Sequence, residues 1–93
     1  MTAIEHINYR HGYDSGFKNV SKFAKETSVS QIKGYVDDAL RRGMVTPNGE
    51  NGYAVRYQTG ENIGTDKAGD VVTGIQIYVR DGKIRTAFPV KMP

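Results

Sequence analysis

The sequence contains no cysteine and no tryptophan, and its 93 residues include two histidines, His6 and His11. Without cysteine there is no disulfide and no thiolate metal site, so stability is expected to come from packing alone. That absence suits a domain that unfolds and refolds while crossing a membrane, and suits an ordinary cytosolic protein equally well. No apolar run approaches the roughly 18 residues a membrane span needs. The opening MTAIEHINYRH lacks the basic start and apolar middle of a signal peptide, so no secretion address of its own is expected. The two histidines are five residues apart, which does not stack them on one helical face, and no carboxylate cluster accompanies them; no metal is expected. There is no G-x-G-x-x-G between a strand and a helix and no lysine-bearing phosphate loop, so no cofactor is expected either. A Ser/His/Asp triad has no recognisable setting.

What is present bounds the answer. The length suits one domain spanning residues 1–93 with one modest core. Hydrophobic residues make up 38% and mean hydropathy is -0.55, values of a folding chain rather than a disordered one. Net charge is +3 and the pI about 9.3, which favours anionic partners without naming one. The distribution says more: Arg80, Lys83, Arg85 and Lys91 gather in the last fourteen residues against Asp81 alone, and Arg41 and Arg42 form a smaller focus.

Ser28-Val29-Ser30-Gln31 has the form of a capping box, so a helix is expected to start there. Ile32, Val36, Ala39 and Leu40 recur at helical spacing, Arg41 and Arg42 suit the C-terminal dipole, and Gly43 is a stop. Phe17, Val20, Phe23, Ala24 and Thr27 also fit a helical stripe, with Asp14 and Ser15 as caps, predicting a shorter helix at about 16 to 26. Ile4 and Ile7 suggest a further helical turn at the start.

After Gly43 the grammar changes. Pro47-Asn48-Gly49 and Asn51-Gly52 are turn signals, Tyr53 to Gln58 alternates as a strand does, Asn62 to Thr65 reads as a short strand or bulge, and Lys67 to Asp70 as a turn. The strongest strand is Val71 to Arg80. Asp81-Gly82 is a two-residue hairpin signal, and Lys83 to Val90 return alongside, with Pro89 and Pro93 closing the sheet. The expected fold is therefore α+β, with N-terminal helices on one face of a mostly antiparallel four- to five-stranded sheet.

A regular hairpin would pair Arg80 with Lys83, Val79 with Ile84, Tyr78 with Arg85 and Ile77 with Thr86. One face would then hold Ile75, Ile77, Val79, Ile84, Thr86 and Phe88 against the helices. The other would carry Gln76, Tyr78, Arg80, Lys83 and Arg85, a plausible phosphate platform.

Metal-free cleavage of a phosphodiester needs a base for the 2′-OH proton, an acid for the leaving 5′ oxygen, and cations for the developing charge. Histidine is the natural proton handler near neutral pH and arginine's fork suits phosphate oxygens, which singles out His11, with Asp14 or Tyr13 to set its tautomer, and Arg85. The bland reading stands beside this one: a lone histidine is more often structural, strand arginines are ordinarily solvated or paired, Tyr78 is ordinarily a lid over their stems, and Thr86 is by default a core residue.

The order of features, Arg10-His11 before the helices, a capped helix ending at Gly43, and a terminal hairpin reading Ile77-Tyr78-Val79-Arg80-Asp81-Gly82-Lys83-Ile84-Arg85-Thr86-Ala87-Phe88-Pro89, resembles the C-terminal toxin domains of contact-dependent growth inhibition proteins, particularly those with the barnase/EndoU/colicin/RelE-like ribonuclease fold. The resemblance implies a toxin that cuts RNA, often tRNA, is secreted as the end of a larger protein, acts in the cytoplasm of a neighbouring bacterium, and is neutralised by a cognate immunity protein. It implies His11 as general acid or base and Arg85 and Thr86 on the scissile phosphate, supported by Lys83, Tyr78 and Arg56, with Arg80 in the same basic group. For the second proton handler His6, Asp14 and Tyr78 all compete. The competing expectations are a non-catalytic RNA- or protein-binding module of the same shape and, with less support because partners of basic nucleases are usually acidic, an immunity protein.

Overall fold

The structure, a computed structural model, describes residues 3–12, 20–25 and 27–92. Its elements run α1 (Ala3–His11), β1 (Lys22–Phe23), α2 (Val29–Arg42), β2 (Met44–Pro47), β3 (Gly52–Gln58), β4 (Gly64–Thr65), β5 (Val71–Val72), β6 (Gly74–Arg80) and β7 (Lys83–Val90). The fold is α+β: the two helices pack against two antiparallel sheets, one ordered β2-β3-β6-β7 and a small one ordered β1-β4-β5. No helix among the described residues is long and apolar enough to cross a membrane.

The capping box closes as the sequence expects. Ser28 Oγ accepts from the Gln31 amide at 3.1 Å, the Ser28 amide donates to Gln31 Oε1 at 2.8 Å, and at the far end the Gly43 amide donates to the Ala39 carbonyl. Helix α2 buries Ile32, Val36 and Ala39 against β3 and β6, while Leu40 stays 44% exposed, so the apolar stripe is narrower than its spacing suggests. Ile7 of α1 joins the same core, with Val55, Ile75, Ile77, Val79, Ala87, Phe23 and Ile63. Each large aliphatic buried this way contributes about 1.5–3 kcal/mol relative to exposure.

Several expectations are corrected. Of the helix expected at 16 to 26, residues 16–19 and 26 lie outside the described residues, and the described 20–25 are not helical. Lys22 and Phe23 pair with Thr65 and Gly64, and the Ala24 amide donates to the Ile63 carbonyl, so a stripe that fits a helix is drawn into a sheet by Phe23 entering the core. Strand pairing this tight needs Gly64, where a Cβ would run into Pro89 and the β1 backbone. The strand expected over Val71 to Arg80 breaks at Thr73, whose carbonyl accepts from both the amide (3.1 Å) and the hydroxyl (2.6 Å) of Thr59; β5 joins the small sheet and β6 the large one. Met44–Pro47, of which Pro47 was read as part of a turn signal and the rest given no element, is the edge strand β2, paired from Met44–Arg56 to Pro47–Tyr53.

The terminal hairpin turns where expected. Asp81 and Gly82 both take positive φ, 54° and 74°, as a type I′ turn requires, and Arg80 pairs with Lys83 and Val79 with Ile84. Beyond that the register departs from the regular one: Tyr78 pairs with Thr86, Ile77 with Ala87 and Ile75 with Pro89, so Arg85 is an extra residue in a β-bulge. Pro89 supplies a reason. In an unbroken hairpin, hydrogen-bonded pairs alternate from Arg80–Lys83 outward and would put Pro89, which has no N–H, at a bonding position opposite Gly74. The bulge shifts it by one, opposite Ile75, where an edge-strand residue points its nitrogen away from the ladder.

Tyr35 is held with its ring stacked on Phe23, centroids 6.4 Å apart and planes 2° off parallel. Partial burial, the nearby Glu61 charge and the hydrogen bond its hydroxyl donates to Glu61 hold its pKa above the ordinary value. The folded state thus keeps the phenol proton more tightly than the unfolded chain does, so this contribution is intact below pH about 10 and is lost as pH rises through the folded pKa. Urea unfolding between pH 9 and 11 should show stability falling with pH, and Tyr35→Phe should flatten that slope. In the helix, Ser28→Ala should lower stability by about 1 kcal/mol in the same assay.

Candidate active site

The bulge decides which side chains of β7 share a face. Ile84 points into the core; Arg85 follows it on the opposite side, and Thr86, paired with Tyr78, lies on that side as well. Phe88 comes next on the outer face and Ala87 and Pro89 are buried, so the expected inward positions of Thr86 and Phe88 are corrected to outward ones. The outer face thus carries Arg56 on β3, Gln76 and Tyr78 on β6, and Arg85, Thr86 and Phe88 on β7.

Helix α1 packs along β7 and ends at His11, whose ring meets Phe88 at 5.4 Å between centroids. Phe88 in turn meets Tyr78 at 5.8 Å, so an imidazole, a phenyl and a phenol form a row. His11 is 6% exposed, and its Nδ1 lies 2.6 Å from the Ser21 carbonyl. A carbonyl has no proton to give, so Nδ1 carries the hydrogen, and in the neutral ring the lone pair is on Nε2.

His11, Thr86 and Phe88 line a hollow of about 740 Å³ together with His6, Asp66, Lys67 and Lys91. Asp66 Oδ1 is occupied by the amides of Ala68 (2.9 Å) and Asp70 (3.0 Å), which holds the turn before β5. Thr86 also lines a second hollow, of about 320 Å³, with Asn48, Tyr78, Arg80 and Arg85. The Thr86 hydroxyl is buried and, among the described residues, has no hydrogen-bond partner. A buried hydroxyl in that state costs free energy unless something completes it.

The sequence-derived candidates therefore divide. The structure brings His6, His11 and Thr86 into one hollow and Tyr78, Arg80 and Arg85 into the next, with Thr86 common to both. Arg80 is engaged, its guanidinium donating to the carbonyls of Glu50 (3.0 Å) and Asn48 (3.4 Å), where it clips the β2–β3 turn. Lys83 is exposed at the hairpin tip opposite Arg80 and lines neither hollow. Arg56 donates through Nε at 2.9 Å, and through Nη2, to Gln76 Oε1; Gln76 Nε2 donates to the Tyr78 hydroxyl at 2.6 Å. Asp14, like Tyr13, lies outside the described residues.

Asp66 and Lys67 were not singled out by sequence, Gln76 was placed on the outer polar face without a role of its own, and Phe88 was placed inward because the bulge was hidden. Among the described residues no group of three or more His, Asp or Glu side chains is placed to hold a metal ion. Compared with family models, curated proteins and solved structures, the chain matches none.

Because the Thr86 hydroxyl is buried without a partner among the described residues, Thr86→Val, which keeps its shape, should leave the unfolding free energy measured in urea unchanged or raise it by at most about 1 kcal/mol. A loss of stability larger than that would mean the hydroxyl is bonded.

Proposed function

We propose that the chain is a metal-independent endoribonuclease acting by transesterification on single-stranded segments of RNA. The observation that carries this reading is the meeting of His11 with the bulged Arg85-Thr86 pair through two adjoining hollows. In the proposed reaction His11 Nε2 takes the 2′-OH proton, the 2′ oxygen bonds to phosphorus as the bond to the 5′ oxygen breaks, and the products are a 2′,3′-cyclic phosphate and a 5′-OH. Arg85 and the Thr86 hydroxyl, which has no partner among the described residues, donate to the phosphoryl oxygens as charge develops, which is when such donors contribute most. Tyr78 gives its own proton to the leaving oxygen: its hydroxyl accepts from Gln76, so its hydrogen points elsewhere, and solvent returns a proton to the phenolate as the His11 imidazolium gives one up. Lys67, Lys91 and Lys83 supply a field that draws in the polyanion.

The resemblance to contact-dependent growth inhibition toxins supports the rest of the proposal: tRNA as the first substrate to try, delivery into a neighbouring bacterium as the end of a larger protein, and neutralisation by a cognate immunity protein. A second reading is favoured by the deep burial of His11 and its bond to Ser21, which a structural histidine would also show: a module that binds RNA without cutting it.

Incubation with total tRNA in EDTA tests the choice. Wild type should leave cyclic-phosphate ends, and His11→Ala should reduce the rate by 10²–10⁴-fold, about the usual contribution of general acid–base catalysis. Intact tRNA with wild type, or equal cleavage by the variant, overturns the enzymatic reading; salt-sensitive binding of intact RNA supports the module.

A further inference from the structure

Beside the candidate active site, on the same outer face, lies a third hollow of about 380 Å³ lined by Met44, Thr46, Ala54 and Met92 together with Arg56 and Gln76. Met44 is 74% exposed at its rim, an apolar side chain set out in water. Met92 is laid down against the sheet over Gly74, where any Cβ would collide with its side chain. The polar pair is rigid. Gln76 is 7% exposed, and both ends of its amide are used: arginine can only donate, so Oε1 faces Arg56, and Nε2 is left to donate to Tyr78.

This geometry fixes what Arg56 has left. A guanidinium has five N–H groups; the side-on pair, from Nε and Nη2, goes to Gln76, and no carboxylate meets the head group among the described residues. The end-on pair, one hydrogen each from Nη1 and Nη2, remains as two parallel donors. Such a fork matches two neighbouring acceptors on a flat edge, which guanine presents as O6 and N7, whereas adenine sets a donor beside N7. The two thioethers that line the hollow suit the face of a flat ring.

We propose that this hollow is a base-reading subsite that takes guanine, with Arg56 reading O6 and N7 and Met44 and Met92 lying against the ring. It rests on the ribonuclease reading for its place in the reaction: Gln76 and Tyr78 are two residues apart on one strand, about 7 Å, within the span of one nucleotide. The base held there belongs to the nucleotide bearing the scissile phosphate. Gln76 is the positioning residue common to both, holding Arg56 for the base and orienting the Tyr78 hydroxyl for the phosphate.

Calorimetric titration of the full chain with four 3′-monophosphates separates this inference from the enzymatic one, because binding is read without turnover. Guanosine and inosine, which both keep O6 and N7, should bind alike; adenosine and 7-deazaguanosine should bind about tenfold more weakly or worse. Arg56→Lys, which keeps the charge and loses the fork, should erase the preference while circular dichroism confirms folding; if it fails to fold, the wild-type series still decides. Equal binding of all four, or a guanine preference that survives in folded Arg56→Lys, overturns the subsite. RNA cleavage without the preference leaves the ribonuclease reading standing alone, and the preference with intact RNA leaves the subsite standing alone.

Discussion

One extra residue in β7 governs the surface on which Tyr78, Arg85, Thr86 and Phe88 lie. Pro89 cannot donate to its neighbour, and the ladder of an unbroken hairpin would ask it to; the bulge at Arg85 removes that demand by moving Pro89 to a position where no donor is needed. Since side chains alternate strictly along a strand, a shift of one exchanges the two faces from that point on. Ala87 and Pro89 go into the core, and Thr86 and Phe88 come out beside Tyr78. Phe88 then gives the end of α1 something to pack on, which is how His11 arrives at the outer face.

The polar groups on that face form a directed chain rather than a loose cluster. Arg56 has donors only, which fixes the orientation of the Gln76 amide, which makes the Tyr78 oxygen an acceptor and frees its hydrogen for another partner. Each step follows from a count of donors and acceptors. The chain crosses from β3 to β6 and links two hollows, so it gives one side of the sheet a means of ordering the other.

The basic residues that look alike in the sequence are used differently. Arg80 spends its guanidinium on two backbone carbonyls and stiffens the β2–β3 turn; Arg56 is half committed to Gln76; Arg85, thrown outward by the bulge, lines the hollow with Tyr78 and Thr86; and Lys83 stands in solvent. Net charge therefore counts these cations alike, whereas the hydrogen-bond partners say which of them are held in place.

The sequence by itself determined α2, with its Ser28–Gln31 box and Gly43 stop, and the Asp81-Gly82 turn, since each is satisfied by groups within a few residues, and it marked the strand at Tyr53 to Gln58 by period-two alternation. It held the cause of the bulge as well, in the spacing from Gly82 to Pro89, though only a count of bonding positions along the ladder brings that out. Tertiary structure decided what depends on partners far along the chain: Phe23 pairing with Gly64 where helical spacing suggested otherwise, Thr59 breaking the long strand at Thr73, and His11 meeting Phe88 across seventy-seven residues of sequence. Such contacts have no local signature, because the burial and hydrogen bonding that stabilise them exist only once both segments are in place.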